Sequence, residues 1–203
     1  MKNFWTEYNE PIYALAPMED VTDTVFREIV ASVSDASALH VFMTEFVSTD
    51  GLCHPVAKSR VIHRLQTNQS ELDLLKEKGI KLVAQIWGND PEKYAKSIKM
   101  IKEEMPYFDG IDINMGCPVP KIVKKGCCSG LIGDPSLAQE ILQASQEASD
   151  LPVSVKTRIG INEVVSESWF AEILKYKPAA FTIHGRTQKQ MSEGLADWNE
   201  IAK

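Results

Sequence analysis

Residues 110–133 read G-I-D-I-N-M-G-C-P-V-P-K-I-V-K-K-G-C-C-S-G-L-I-G. Ile111 and Ile113 are β-branched and alternate with Asp112 and Asn114, which predicts a short strand over 110–114. Gly116-Cys117-Pro118 must end it, because proline has no N–H to offer a ladder and holds the residue before it in extended or turn geometry. Cys117 is therefore expected at the tip of a strand, and Gly116 lets backbone approach a ligand closely. Lys121, Lys124 and Lys125 put three positive charges within eight residues of the sulfur, a setting that favours polyanions and thiolates alike. A lone cysteine is commonly buried and inert. The rest of the chain decides the matter.

Five other short apolar or alternating runs occur, at 12–16, 41–46, 81–87, 153–158 and 180–184. Helical patterns separate them. Thr22 or Asp23 can cap a helix with Phe26, Ile29, Val30 and Val33 on one face, followed by a polar turn over 34–37. The spacing predicts a helix over 70–78, with Leu72 and Leu75 inward and Gly79 as its stop. Asp90-Pro91 and Asp134-Pro135 repeat one start signal, an acidic N-cap followed by proline in the first turn. The first opens a helix with Tyr94, Ile98, Ile101 and Met105 inward, the second a helix with Leu137, Ile141 and Leu142 inward. A further helix over 166–176 carries Trp169, Phe170, Ile173 and Leu174 and stops before Pro178.

Strands alternating with amphipathic helices predict parallel strands joined by crossovers, hence an α/β fold. Polar residues then separate a barrel from an open sheet. Pro17-Met18-Glu19 follow the first run, Glu45 and Gln85 lie near the ends of the next two, and Asn114 with Cys117, Lys156 with Arg158, and His184 with Arg186 mark the others. A site drawn from every strand end is what the C-terminal face of a β/α barrel offers, whereas an open sheet gathers its site at one switch point. No G-x-G-x-x-G follows the first run. Residues 197–203 read as the start of a sixth helix. A complete barrel takes eight strands and about 250 residues, so the expectation is an incomplete (β/α)8 TIM barrel of about six β/α units, truncated from a longer protein.

With 203 residues, 44% of them hydrophobic, the chain can bury one sizeable core. No run approaches the ~18 apolar residues of a membrane span, and the N-terminus lacks a signal-peptide pattern, so the expected location is cytoplasmic and no membrane partner is expected. Cys53, Cys117, Cys127 and Cys128 follow no zinc-ligand spacing, which fits a reducing compartment and no metal site. The formal charge of −6 argues against nucleic-acid binding by the chain as a whole, leaving only a local basic patch for such a partner.

Taken in order, A-P-M-E-D-V-T-D-T-V-F-R from Ala16, Q-I-W-G from Gln85, N-M-G-C-P-V-P-K from Asn114, G-D-P from Gly133, V-K-T-R-I-G from Val155 and I-H-G-R-T from Ile183 resemble the tRNA-dihydrouridine synthases. The set spans nearly the whole chain. The resemblance implies an FMN-binding barrel over 1–203, a C-terminal helical tRNA-binding domain absent from this chain, and NADPH or NADH as reductant. It makes Cys117 the acid that protonates uracil C5 while hydride from reduced flavin goes to C6. Pro17, Met18 and Glu19 would line the flavin, Gln85 would bond its ring edge, Lys156 would face its N1 and C2 region, and His184 and Asn114 would support it. Lys121, Lys124, Arg158 and Arg186 would meet tRNA. The resemblance also implies that the FMN phosphate is gripped by the loops after strands seven and eight.

The chemistry agrees with this allocation. Hydride addition at C6 leaves negative charge at C5, which a proton donor on the opposite face relieves. An ordinary thiol, with a pKa near 8.5, is mostly protonated at neutral pH. Two departures from the family pattern stand out: Gln188 where an Arg is frequent, and Cys127-Cys128 where smaller residues are usual. The alternatives are a related FMN-barrel reductase of a free pyrimidine or enone, and a non-catalytic RNA-binding or folding-incompetent fragment.

Overall fold

In the computed structural model, which describes residues 3–35 and 37–203, six parallel strands form one sheet: β1 (Ala14–Leu15), β2 (Val41–Ser48), β3 (Lys81–Trp87), β4 (Gly110–Met115), β5 (Val153–Arg158) and β6 (Phe181–His184). Met1, Lys2 and Ala36, the last within the turn expected over 34–37, lie outside the described residues. Their order is β1-β2-β3-β4-β5-β6, so every strand pairs with its sequence neighbour and none reverses direction around a switch point. A doubly wound sheet requires such a reversal, and its absence leaves the incomplete (β/α) barrel expected from the sequence. β1 is shorter than the run at 12–16, pairing with β2 only at Ala14 and Leu15. β2 continues past Phe46 to Ser48, and its register shifts between Met43 and Phe46. Such a bulge re-aims side chains at a strand end, and the Thr44 hydroxyl within it accepts the Gln85 N–H at 3.1 Å.

Between the strands lie α1 (Thr24–Val33), α2 (Thr49–Cys53), α3 (Lys58–Val61), α4 (Gln69–Lys78), α5 (Pro91–Glu104), α6 (Pro120–Val123), α7 (Pro135–Ala148), α8 (Ser166–Leu174) and α9 (Trp198–Ala202). The expected caps are in place: Asp23 accepts the Phe26 N–H, Asp90 those of Glu92 and Lys93, and Asp134 that of Leu137. Gly79 ends α4 at φ +69°, in the left-handed region glycine tolerates. One layer of core joins the outer sheet face, with Ala84, Ile86, Ile111, Ile113 and Val155, to Ile98, Ile101, Ile141 and Leu142 of α5 and α7.

α1 departs from its apolar pattern. Arg27 and Ala31 are buried, while Ile29 and Val33 are 57% and 80% exposed. The cause is Arg27, whose Nε and Nη2 meet the Glu71 carboxylate of α4 at 2.6 and 2.9 Å, with both side chains fully buried. That pair fixes which side of α1 faces α4. Among the described residues β1 lies at one edge of the sheet, paired with β2. Leu174 of α8, expected inward, is likewise 50% exposed at the opposite edge. Among the described residues no helix is long and apolar enough to cross a membrane.

Candidate active site

Parallel pairing places the C-terminal ends of the strands on one rim, and the register sets polar side chains in rows across it. Gln85 of β3 lies opposite Asp112 of β4, which lies opposite Ser154 of β5; one step further, Asn114 pairs with Lys156. A cavity of about 190 Å³ opens there, lined by Pro17, Phe46, Gln85, Asn114, Cys117, Lys156, Arg158 and His184 among others. A neighbouring cavity of about 300 Å³ shares Pro17 and Lys156 with it. Five strands, β1 and β3 to β6, thus send residues singled out from the sequence into one space.

The remaining candidates lie outside that wall. Met18 is exposed, and its backbone N–H and C=O both bond the Thr22 hydroxyl at 3.0 Å. Glu19 pairs with Arg64 at 3.1 Å, and Arg64 also holds the buried Glu45 at 2.9 Å. Lys121, Lys124 and Lys125 are exposed on and after α6, beyond the cysteine loop. Arg186 donates twice to the Gly194 carbonyl, and its Nη1 lies 3.1 Å from His184 Nε2.

Each side chain on the wall has a defined electrostatic state. Lys156 forms no hydrogen bond or ion pair among the described residues; burial lowers its pKa, and the nearby Asp112 charge opposes that shift. His184 is pushed down to about 4, first by burial and then by the cations Arg158, Lys156 and Arg186, so it is neutral near pH 7. Because a guanidinium only donates, His184 Nε2 accepts from Arg186 and the ring proton sits on Nδ1. Arg158 is buried and spends Nε on the Gly116 carbonyl at 2.7 Å and Nη1 on the carbonyls of Thr187 and Met191. It braces the cysteine loop against the loop after β6. Gln188, in the position that departs from the family pattern, adds a second brace by donating to the Pro118 carbonyl at 2.7 Å.

Cys117 is half-buried, and its backbone is fixed on both sides. Asn114 Oδ1 accepts its N–H at 2.8 Å, and its carbonyl accepts the Ser129 hydroxyl at 2.9 Å. Its thiol is lowered to about 7, chiefly by a hydrogen bond from Cys128, then assisted by the Val119 N–H and Arg158 against the opposing effects of burial and Glu19. The sequence suggested an ordinary thiol with lysines as the source of any depression; the dominant partner is instead the fully buried Cys128. Burial and the Cys117 sulfur raise the pKa of Cys128, so it keeps its proton and serves as the donor. Cys128→Ala is therefore expected to move the alkylation midpoint of Cys117 upward from about 7, as read by iodoacetamide modification against pH with peptide mapping. An unchanged midpoint would remove Cys128 as the cause.

Asp112, Ser129 and Cys128 belong to the site and were not singled out as functional from the sequence. Only Asp112 had a signal, its alternation with Asn114 on one strand face. Among the described residues no group of three or more His, Cys, Asp or Glu is arranged to hold a metal ion.

A family model described as dihydrouridine synthase (Dus) matches residues 14–203. A probable tRNA-dihydrouridine synthase of Staphylococcus aureus (strain COL) is 44% identical over 202 residues, covering 98% of this chain and 57% of its own length. Probable tRNA-dihydrouridine synthase 2 of Bacillus subtilis (strain 168) is 45% identical over 202 residues, covering 98% and 58%. The chain thus spans rather more than half the length of these curated relatives. Among solved structures, the carboxyl transferase domain of Rhizobium etli pyruvate carboxylase aligns with a TM-score of 0.50 at 13% identity, over 79% of this chain and 24% of that one, a likeness of fold alone. With motifs in family order, a barrel rim that gathers them and a family match over almost every residue, the chain belongs to the dihydrouridine synthase family.

Proposed function

We propose that residues 1–203 are the truncated FMN-binding barrel of an enzyme that reduces uridine in tRNA to 5,6-dihydrouridine, with NADPH or NADH as reductant and a C-terminal helical domain helping to hold the tRNA. The activity for which the relatives are named supports the reaction class. Lys156 is the observation that carries the cofactor assignment: a cation whose pKa is lowered by burial, lining both cavities with no side-chain hydrogen-bond partner among the described residues, suits an electron-rich, anionic ring system. FMN, when bound, supplies the hydride for uracil C6.

The chain's own residues have the following roles in this reading. Lys156 offsets negative charge on the ring's N1 and C2 side, Gln85 and Asn114 fix its edge, and Pro17, Met18 and Glu19 supply the loop beside it. Neutral His184, held by Arg186, offers its Nδ1 proton as a hydrogen-bond donor on the same rim. Cys117 holds the proton destined for uracil C5, and the braces from Asn114, Ser129 and Arg158 keep that sulfur at the rim. The exposed Lys121 and Lys124, with Arg186, provide local positive charge for tRNA phosphates on an otherwise acidic chain, while the buried Arg158, also expected to meet tRNA, is committed to the loop carbonyls. Incubating the full-length protein with FMN, NADPH and tRNA from a dihydrouridine-deficient strain should raise the dihydrouridine content of that tRNA. Unchanged content, with free uracil or an enone reduced instead, would replace this reading.

A further inference from the structure

Asp112 is fully buried at the centre of the rim, and no step above uses it. Its Oδ1 accepts the Ser154 hydroxyl at 2.6 Å, and its Oδ2 accepts Gln85 Nε2 at 2.6 Å. Gln85 Oε1 in turn accepts Asn114 Nδ2 at 2.9 Å, and Asn114 Oδ1 accepts the N–H groups of Gly116 and Cys117 at 3.0 and 2.8 Å. Every bond in this series runs in one direction, fixed at one end by a carboxylate that only accepts and at the other by two backbone N–H groups that only donate. An ionised carboxylate can only accept, so Gln85 must turn its NH2 toward Asp112 and its oxygen toward Asn114. Asn114 must then turn its own NH2 toward Gln85, which leaves its oxygen for the cysteine loop. Were the first group able to donate, both amides could flip, and the Asn114 NH2 would face two backbone N–H groups with nothing to accept them.

We propose that Asp112 is a positioning residue whose carboxylate sets the amide orientations of Gln85 and Asn114 and, through Asn114, the placement of the loop carrying Cys117. Two of the residues it orients line the cavity, so the same carboxylate decides which hydrogen-bonding face they show a ligand. Burial raises the Asp112 pKa to about 6, against the lowering effects of Ser154, Gln85 and the Lys156 charge. The titratable groups coupled to it are Lys156 from β5 and Tyr94 from α5. Above about pH 6 the ionised carboxylate therefore only accepts, and below it the protonated carboxyl can also donate, which removes the constraint at the Asp112 end of the series.

The catalytic part of this inference rests on the proposed uridine reduction, while the orientation itself can be measured without it. In full-length Asp112→Asn, hydrogen exchange at the N–H groups of Gly116 and Cys117 should be faster than in the unaltered protein, with a cooperative unfolding transition retained. The kcat for uridine reduction should fall by roughly 10- to 100-fold, as expected for a misplaced catalytic group, and the acid limb near pH 6 should disappear. Ser154→Ala keeps the carboxylate but removes a hydrogen bond that lowers its pKa, so it should move that limb upward; it decides the matter if Asp112→Asn does not fold. Unchanged exchange at Gly116 and Cys117 in Asp112→Asn, or an unmoved acid limb in Ser154→Ala, overturns the proposal. If the unaltered protein reduces no uridine, the functional reading fails on its own and the exchange contrast still decides the role of Asp112.

Discussion

Cys117→Ala in the full-length enzyme is expected to leave flavin reduction by the nicotinamide cofactor unchanged and to slow uridine reduction by about 10²- to 10⁴-fold, the usual contribution of a positioned general acid. Single-turnover measurements separate the two half-reactions. The thiol is the acidic form, and its pKa is lowered to about 7, so the unaltered enzyme should lose rate as pH rises through about 7. Restoring an ordinary thiol pKa through Cys128→Ala should carry that alkaline limb upward with it. Survival of both half-reactions in Cys117→Ala would assign the proton to another donor.

The second large effect concerns stability. Arg27 and Glu71 join α1 to α4 with both side chains fully buried, and Arg27 also donates to the carbonyls of Thr22 and Gln66. Removing one member leaves an uncompensated buried charge, which typically costs about 3–5 kcal/mol. Arg27→Ala should therefore lower the urea midpoint strongly, whereas replacing both residues by apolar ones of similar volume should recover much of the loss. A single substitution costing under about 1 kcal/mol would show the pair to be screened by solvent. The consequence reaches the rim, because Thr22, whose carbonyl Arg27 holds, is also bonded to Met18 in the loop expected to lie beside the flavin.

The sequence was informative wherever one local rule decided the outcome. β3 and β5 follow their apolar runs residue for residue, and Asp-Pro marked the starts of α5 and α7 because capping and a fixed proline φ act within one turn. The order of the strands followed from their alternation with helices. Long-range pairing was hidden. The apolar stripe of α1 suggested an inward face, but a charge pair between residues 27 and 71 determined the buried side. Nothing in a C-C-S triplet reveals that a loop will bring the Cys128 thiol against Cys117 eleven residues earlier. Arg158 and Gln188 were read as charge or contact positions. Their bonds to the Gly116 and Pro118 carbonyls became visible only once the loops after β4, β5 and β6 were side by side.

In the proposed function, side chains from separate strands converge on one flavin. The most direct measurement of that convergence is the titration of full-length apoprotein with FMN, followed by flavin absorbance and fluorescence, in the unaltered protein and in Lys156→Met. Stoichiometric binding is expected, weakened in Lys156→Met by roughly 10- to 100-fold, the range for losing a hydrogen bond to a charged group, together with a shifted flavin spectrum. Equal affinity and an identical spectrum in the two proteins would contradict it.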